Sequence, residues 1–258
     1  MQAELQPTAP ILWSTLTPPC KTLIAYGLAM FVAMIGTYVY ALGDDRSIRE
    51  VGVWVKPMKF MAATALFALT TVWLIKIANS NVAQLDVFNK ITALLMLTSF
   101  FEVAYISYQA YKGEPSHYNN SDTFHAIMFL LMGLAAVGLV ASQAWLAWEI
   151  WKEQSPNGLS CLSLSVVIGL TLTFVLSVFS GFLLGGNQPP AGQGLPWVGW
   201  HLYKDIRPAH FLGVHAQQLI PLFGIAATKF MSPYAATSIV LGSMLYTVIW
   251  ALITWLSF

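Results

Sequence analysis

The sequence predicts an all-α integral membrane protein with seven transmembrane helices, and three observations carry that prediction. Apolar runs of about 20 residues, the length at which a helix crosses a hydrocarbon core, recur seven times. The chain is 57% hydrophobic and only 9% charged, with a mean hydropathy of +0.65, where a soluble domain carries about 25% charge. Tryptophans gather near the ends of the runs, at Trp54, Trp73, Trp145, Trp148, Trp151, Trp197 and Trp255, as interfacial belts do.

Taken in order, residues 1–21 form a polar, Pro-rich N-terminal segment. It lacks the basic start and small-residue cleavage site of a signal peptide. Residues 22–258 form a single transmembrane domain. The spans are expected at 22–42, 57–78, 87–110, 123–148, 161–184, 208–228 and 235–257. Pro57 and Pro208 suit first turns, where a missing N–H leaves no bond unmade. Asp122 is positioned to cap the fourth span.

With seven spans the termini lie on opposite faces, here called A (N-terminal) and B. Lys21, Lys76, Lys90, Lys152 and Lys229 fall on face A. Arg46, Arg49, Lys56, Lys59, Lys112, Lys204 and Arg207 fall on face B. The raw count of cations favours B as cytoplasmic. Setting aside Lys56, Lys59 and Arg207 as site residues reverses it, and Lys21 also favours a cytoplasmic N-terminus. That is the orientation expected here, in a bacterial plasma membrane.

Net charge is +1 with no basic patch, which excludes nucleic acid as a partner and leaves the lipid bilayer. Cys20 and Cys161 form neither a CxxC nor a disulfide framework. Gly169, Thr173, Ser177, Gly181 and Gly185 recur every four residues along the fifth span. Such a stripe lets a helix approach closely; internal packing is the simpler use of it, and an oligomer the other. Lys56-Pro57-Met58-Lys59-Phe60 and Arg207-Pro208-Ala209-His210-Phe211 open spans two and six alike. They hint at two parallel three-helix halves joined by the fourth span, although two interfacial helix starts would look the same.

Ionisable groups concentrate at face B. Glu102 interrupts the third span, with Ser99, Tyr105 and Gln109 on its face at helical spacing. All five histidines fall on this side. His117 and His201 read as polar tips at the interface, while His125, His210 and His215 are the candidate site members. Pro221 frees the carbonyl of Gln217, beside Gln218. The plain alternative is a structural ion pair between Glu102 and Lys56 or Lys59.

The leading expectation is a metal-dependent membrane enzyme acting on a lipid or small apolar substrate. Glu102, His125 and His215 would be catalytic, and His125, His210, His215 and Glu102 would be ligands to zinc or iron, since imidazole and carboxylate suit both. His210 and His215 lie about 140° apart on an ideal helix, so they need help from another element. Lys56, Lys59 and Arg207 would hold an anionic headgroup. Haem b between two facing histidines is a second cofactor expectation, in an electron-transfer protein. A third reading is a proton-coupled transporter of a small solute, with Glu102 and His215 as relay.

Ser121-x3-His125, Asp205 and two later histidines resemble the progestin/adipoQ receptor and ceramidase superfamily. That resemblance implies a three-histidine zinc site hydrolysing lipid amides. The final pair there is His-x3-His in the last span, whereas His210-x4-His215 lies in the sixth. The segment Gly199-Trp200 … Asp205-Ile206-Arg207-Pro208-Ala209-His210-Phe211-x-Gly213-x-His215-Ala216-Gln217, with Ser116-His117-Tyr118-Asn119 upstream, is similar to a group of bacterial polytopic membrane proteins. Microbial rhodopsins are disfavoured, because the seventh span has no lysine for a Schiff base.

Overall fold

The computed structural model describes residues 13–186, 194–195, 199–200 and 205–257. His201, Trp197 and Lys204 lie outside them. Among the described residues, seven helices are long and apolar enough to cross a membrane: α1 (Pro18–Ala41), α2 (Val55–Ile77), α3 (Asp86–Lys112), α4 (Thr123–Gln154), α5 (Cys161–Gly186), α6 (Arg207–Phe230) and α7 (Ala235–Leu256). Two antiparallel ribbons, β1 (Ser47–Ile48) with β2 (Val51–Gly52) and β3 (Gly194–Leu195) with β4 (Gly199–Trp200), lie in the α1–α2 and α5–α6 connections.

Every span expected from the sequence is a helix, and the differences lie at their ends. Helix α1 begins at Pro18 and so absorbs the last residues of the expected polar segment. Pro18 and Pro19 occupy positions whose N–H groups have no partner in any helix. Helix α4 continues six residues past 148, to Gln154. Lys152 there pairs with Glu149 at 2.7 Å, and the Gln154 amide donates to the Ala78 carbonyl at 2.9 Å, satisfying the buried C-terminal end of α2. Asp122 caps α4 as expected, accepting the His125 N–H at 2.9 Å. The β1–β2 turn has positive φ at both central residues, Arg49 and Glu50, as a two-residue hairpin requires.

Helix α2 is the most enclosed of the seven and packs on α1, α3, α5 and α6. Leu23, Leu74, Phe88, Leu95, Leu146 and Leu170 belong to one large apolar cluster near face A. The outer surface is apolar too, with Val32, Leu97, Phe182 and Trp255 among its exposed residues. Polar side chains are instead drawn inward: Thr71, Gln109, Gln143, Ser142, Ser180 and Gln217 are fully enclosed. Lipid leaves no apolar gain for pairing helices, so small and polar residues supply the contact.

The small-residue stripe of α5 is used in this way. A Cβ on Gly169 would sit 3.0 Å from the Pro221 ring and 3.1 Å from the Ala216 carbonyl. One on Gly213 would sit 3.0 Å from backbone atoms of Leu176 and Ser177. The stripe packs inside the chain, against α6, for most of its length.

The interfacial expectation fails for Trp54. It is buried, and its indole N–H donates to Asp44 at 2.7 Å, because the α1–α2 connection folds back over it. Trp148 and Trp151 are exposed and stack at 5.0 Å, as a belt predicts.

Candidate functional site

Helix α3 presents Ser99, Glu102, Tyr105 and Gln109 as one buried stripe, the face expected from their spacing. Ser99 is hydrogen-bonded to the Tyr26 hydroxyl of α1 at 2.8 Å. The Gln109 amide donates to the Tyr105 hydroxyl at 2.7 Å, leaving the Gln109 carbonyl oxygen without a hydrogen bond. Glu102 lies ten residues from the end of α3, about 15 Å inward at 1.5 Å per residue, and is 7% exposed.

Among the described residues the Glu102 carboxylate makes neither a hydrogen bond nor a direct ion pair. The charge acting on it is the Lys56 ammonium of α2. Lys56 stands 5.8 Å from the Phe60 ring, so an aromatic face accompanies the cation. The plain alternative from the sequence is therefore met only in part: Lys56 faces Glu102, but the two are not in contact.

The third member of this group is one the sequence reading set aside. His117 does not hang in solvent as an interfacial tip. The α3–α4 connection turns inward, with Tyr118 at a left-handed φ of 54°, and carries the His117 ring between Phe60 and Phe129. The ring centroids are 6.2 and 5.8 Å away. Its Nδ1 lies 3.2 Å from the Ser116 hydroxyl. Burial pushes the His117 imidazole well below its ordinary range, and the Lys56 charge adds to that. It is therefore neutral near pH 7. The signal available beforehand was the run Ser116-His117-Tyr118-Asn119, which combines four polar or aromatic residues in a short connection. Its inward turn was not legible.

The other candidates are dispersed. His125, at the start of α4, is bracketed by carboxylates: Nδ1 is 2.9 Å from Asp122 and Nε2 is 3.2 Å from Glu114. Ser121 lies 3.3 Å from the same Nδ1. His210 on α6 meets the Ser180 hydroxyl of α5 at 3.1 Å. His215 packs its ring on Phe211 with centroids 4.1 Å apart. Lys59 is exposed and shares a face with Arg207, whose charge acts on it. Arg207 is itself held by Asp205 through two bonds of 2.7 Å.

The expected ligand set, His125, His210, His215 and Glu102, is thus not assembled: the His215 charge acts on His210 along α6, but His125 and Glu102 have other neighbours. Among the described residues no three His, Cys, Asp or Glu side chains could hold a metal ion. The carboxylates around His125 approach opposite edges of one ring and do not converge on a point. Both cysteines are free thiols.

A second polar region lies where α2, α5 and α6 meet. The Gln217 N–H donates to Thr173 at 2.8 Å, and the Gln218 amide donates to Thr70 at 3.2 Å. Pro221 removes the helix donor that the Gln217 carbonyl would otherwise receive. Both amide atoms of Gln217 are buried without a hydrogen bond, as are the Gln218 carbonyl oxygen and the Ser177 hydroxyl. Unmade hydrogen bonds at membrane depth are costly, so this region is suited to a polar guest. Comparisons with protein-family models, with curated proteins and with solved structures found no match.

Proposed function

We propose that this chain is a proton-coupled transporter of a small solute, with Glu102 as the proton carrier, Lys56 as the cation that acts on it, and the His117 ring as a neutral neighbour of Lys56. The observation carrying this reading is the buried, uncontacted carboxylate. A structural ion pair would place the two charges in contact and satisfy their remaining valences. Glu102 and Lys56 face each other across the bundle interior without doing so. Such a carboxyl is free to change protonation as water or solute enters and leaves, and ionisable residues inside membranes commonly serve that use.

The Gln217 side-chain amide, the Gln218 carbonyl oxygen and the Ser177 hydroxyl, all without hydrogen bonds, supply uncharged donors and acceptors for the solute. In this reading the N-terminal face is cytoplasmic, supported by Lys21 ahead of α1, and the site lies nearer the opposite face. The membrane is a bacterial plasma membrane, on the strength of the resemblance alone.

The test is a solute panel of sugars, amino acids and organic acids, offered to proteoliposomes under an imposed pH gradient. Proton movement accompanying uptake is the expected result. Glu102→Gln should abolish the coupling while leaving thermal unfolding near the parent's, and Glu102→Asp should retain part of it. Uptake by Glu102→Gln that keeps its full pH dependence would sink the proposal.

A further inference from the structure

The α3–α4 connection, residues 113–122, covers the Glu102 group and is tied down in an unusual way. Its first and last parts are fastened to a single imidazole. Glu114, one residue after the α3 cap, reaches His125 Nε2 at 3.2 Å, and Asp122, the last residue of the connection, reaches His125 Nδ1 at 2.9 Å. Between these ties the connection inserts His117 against Phe60 and Phe129. It also anchors the Tyr118 hydroxyl to the Leu184 carbonyl of α5 at 2.6 Å. Gly113, at a left-handed φ of 75°, ends α3 at the root of the connection. This conformation costs glycine nothing and makes it a natural hinge.

We propose that His125 is a proton-operated latch on this connection, holding it closed over the Glu102 site when protonated and releasing its Glu114 end when neutral. The chemistry follows from the inventory of the ring. An imidazolium has two N–H donors and can serve both carboxylates at once; a neutral imidazole has one, and its other nitrogen presents a lone pair. A lone pair facing a carboxylate oxygen repels it.

Which tie fails is decided by the second oxygen of Asp122. It accepts the His125 backbone N–H at 2.9 Å, so Asp122 stays in place as the helix cap whatever the ring does. That N–H, and then the ring itself, hold the Asp122 carboxyl below its ordinary range. Asp122 is therefore ionised throughout the neutral range. Glu114 has no such second hold. It is partly exposed, and its other partner is Lys112 at a loose 3.6 Å. The groups facing the His125 ring are thus Asp122 and Ser121 from its own N-terminal turn and Glu114 from the connection, with the Phe124 ring edge-on at 5.5 Å. The latch goes beyond the transport reading and does not depend on it. Protonation from face B would close the connection whatever passes beneath it.

The test is a spin label on Asn120→Cys, an exposed position of the connection, in the full chain with Cys20 and Cys161 replaced by alanine and reconstituted in lipid. Spectra are taken from about pH 5.5 to about pH 8, the range in which imidazoles as a class change charge. The label should be immobile at the acid end and gain a mobile component as pH rises. In Glu114→Gln the mobile component should be present throughout and the titration lost, with the fold kept because Glu114 is partly exposed. His125→Gln should behave the same way. A parent chain whose spectrum does not change with pH, or a Glu114→Gln variant that titrates like the parent, overturns the latch. Neither outcome bears on whether Glu102 couples protons to uptake.

Discussion

Gly213→Ala tests whether the close approach of α5 and α6 positions the polar groups between them. The added methyl would lie 3.0 Å from the Leu176 carbonyl carbon and 3.0 Å from the Ser177 nitrogen. Carbon contacts are comfortable at about 3.5–4.0 Å. Both obstructing atoms are backbone, so no rotamer change relieves them and the helices must part by roughly 0.5–1 Å. A gap of that size forfeits about a quarter to a half of each contact's attraction, and overpacking of this kind costs about 1–3 kcal/mol. Alanine's better helix propensity returns about 0.8–1 kcal/mol, leaving a net destabilisation of roughly 0–2 kcal/mol. Gly133→Ala is the matched control: it lies mid-helix in α4 with nothing within 4 Å of the new atom, and should gain up to about 1 kcal/mol. Equilibrium unfolding in mixed micelles with an anionic detergent, followed by circular dichroism, compares the two. A Gly213→Ala protein as stable as Gly133→Ala would refute the reasoning. The same displacement should weaken the Gln217–Thr173 bond, seen as faster exchange of the Gln217 amide.

His117 makes its own prediction about acid. Its folded pKa lies below the unfolded value, so the unfolded or undocked form takes up the proton first as pH falls below about 6.5. His117's own contribution to docking is then fully present above that pH and declines as pH falls below it, opposite in sign to the His125 tie, until the folded group itself titrates. His117→Phe should remove this acid dependence in hydrogen exchange of residues 113–121, and an unchanged profile would count against burial of the ring. Asp122 works in the same sense at lower pH: its carboxyl is held low, so its contribution is present above about pH 4 and is lost as pH falls through the folded value. Asp122→Ala should speed exchange of the His125 amide, whereas Asp122→Asn, which keeps a cap oxygen, should not.

How much could be read beforehand depended on whether a feature is local. The seven spans, the cap at Asp122, Pro208 in the first turn of α6, and the buried stripe Ser99–Glu102–Tyr105–Gln109 follow from hydrophobic length, helix-end chemistry and a 3.6-residue period. Each of these is a property of one segment and its solvent. The inward turn of the α3–α4 connection depends instead on where Phe60, Phe129 and Leu184 stand, on three other helices, and His117 was misplaced for that reason. The same limit applies to the histidines. Spacing placed His125, His210 and His215 near one face, but the rotation of each helix turned them toward Asp122 and Glu114, toward Ser180, and toward Phe211.

Segment by segment, the amino-acid order specifies a seven-helix membrane protein with a carboxylate inside it and its ionisable residues gathered near one face. Desolvation makes those choices segment by segment, because an unpaired charge or an unsatisfied backbone is too costly in hydrocarbon to be placed casually. The tertiary structure alone decided that Lys56 faces Glu102 without touching it, that His117 joins them, and that both ends of the connection above are tied to His125. Those are relations between helices whose relative rotation and depth are set by packing, chiefly the close approach of small residues, and no single segment encodes them.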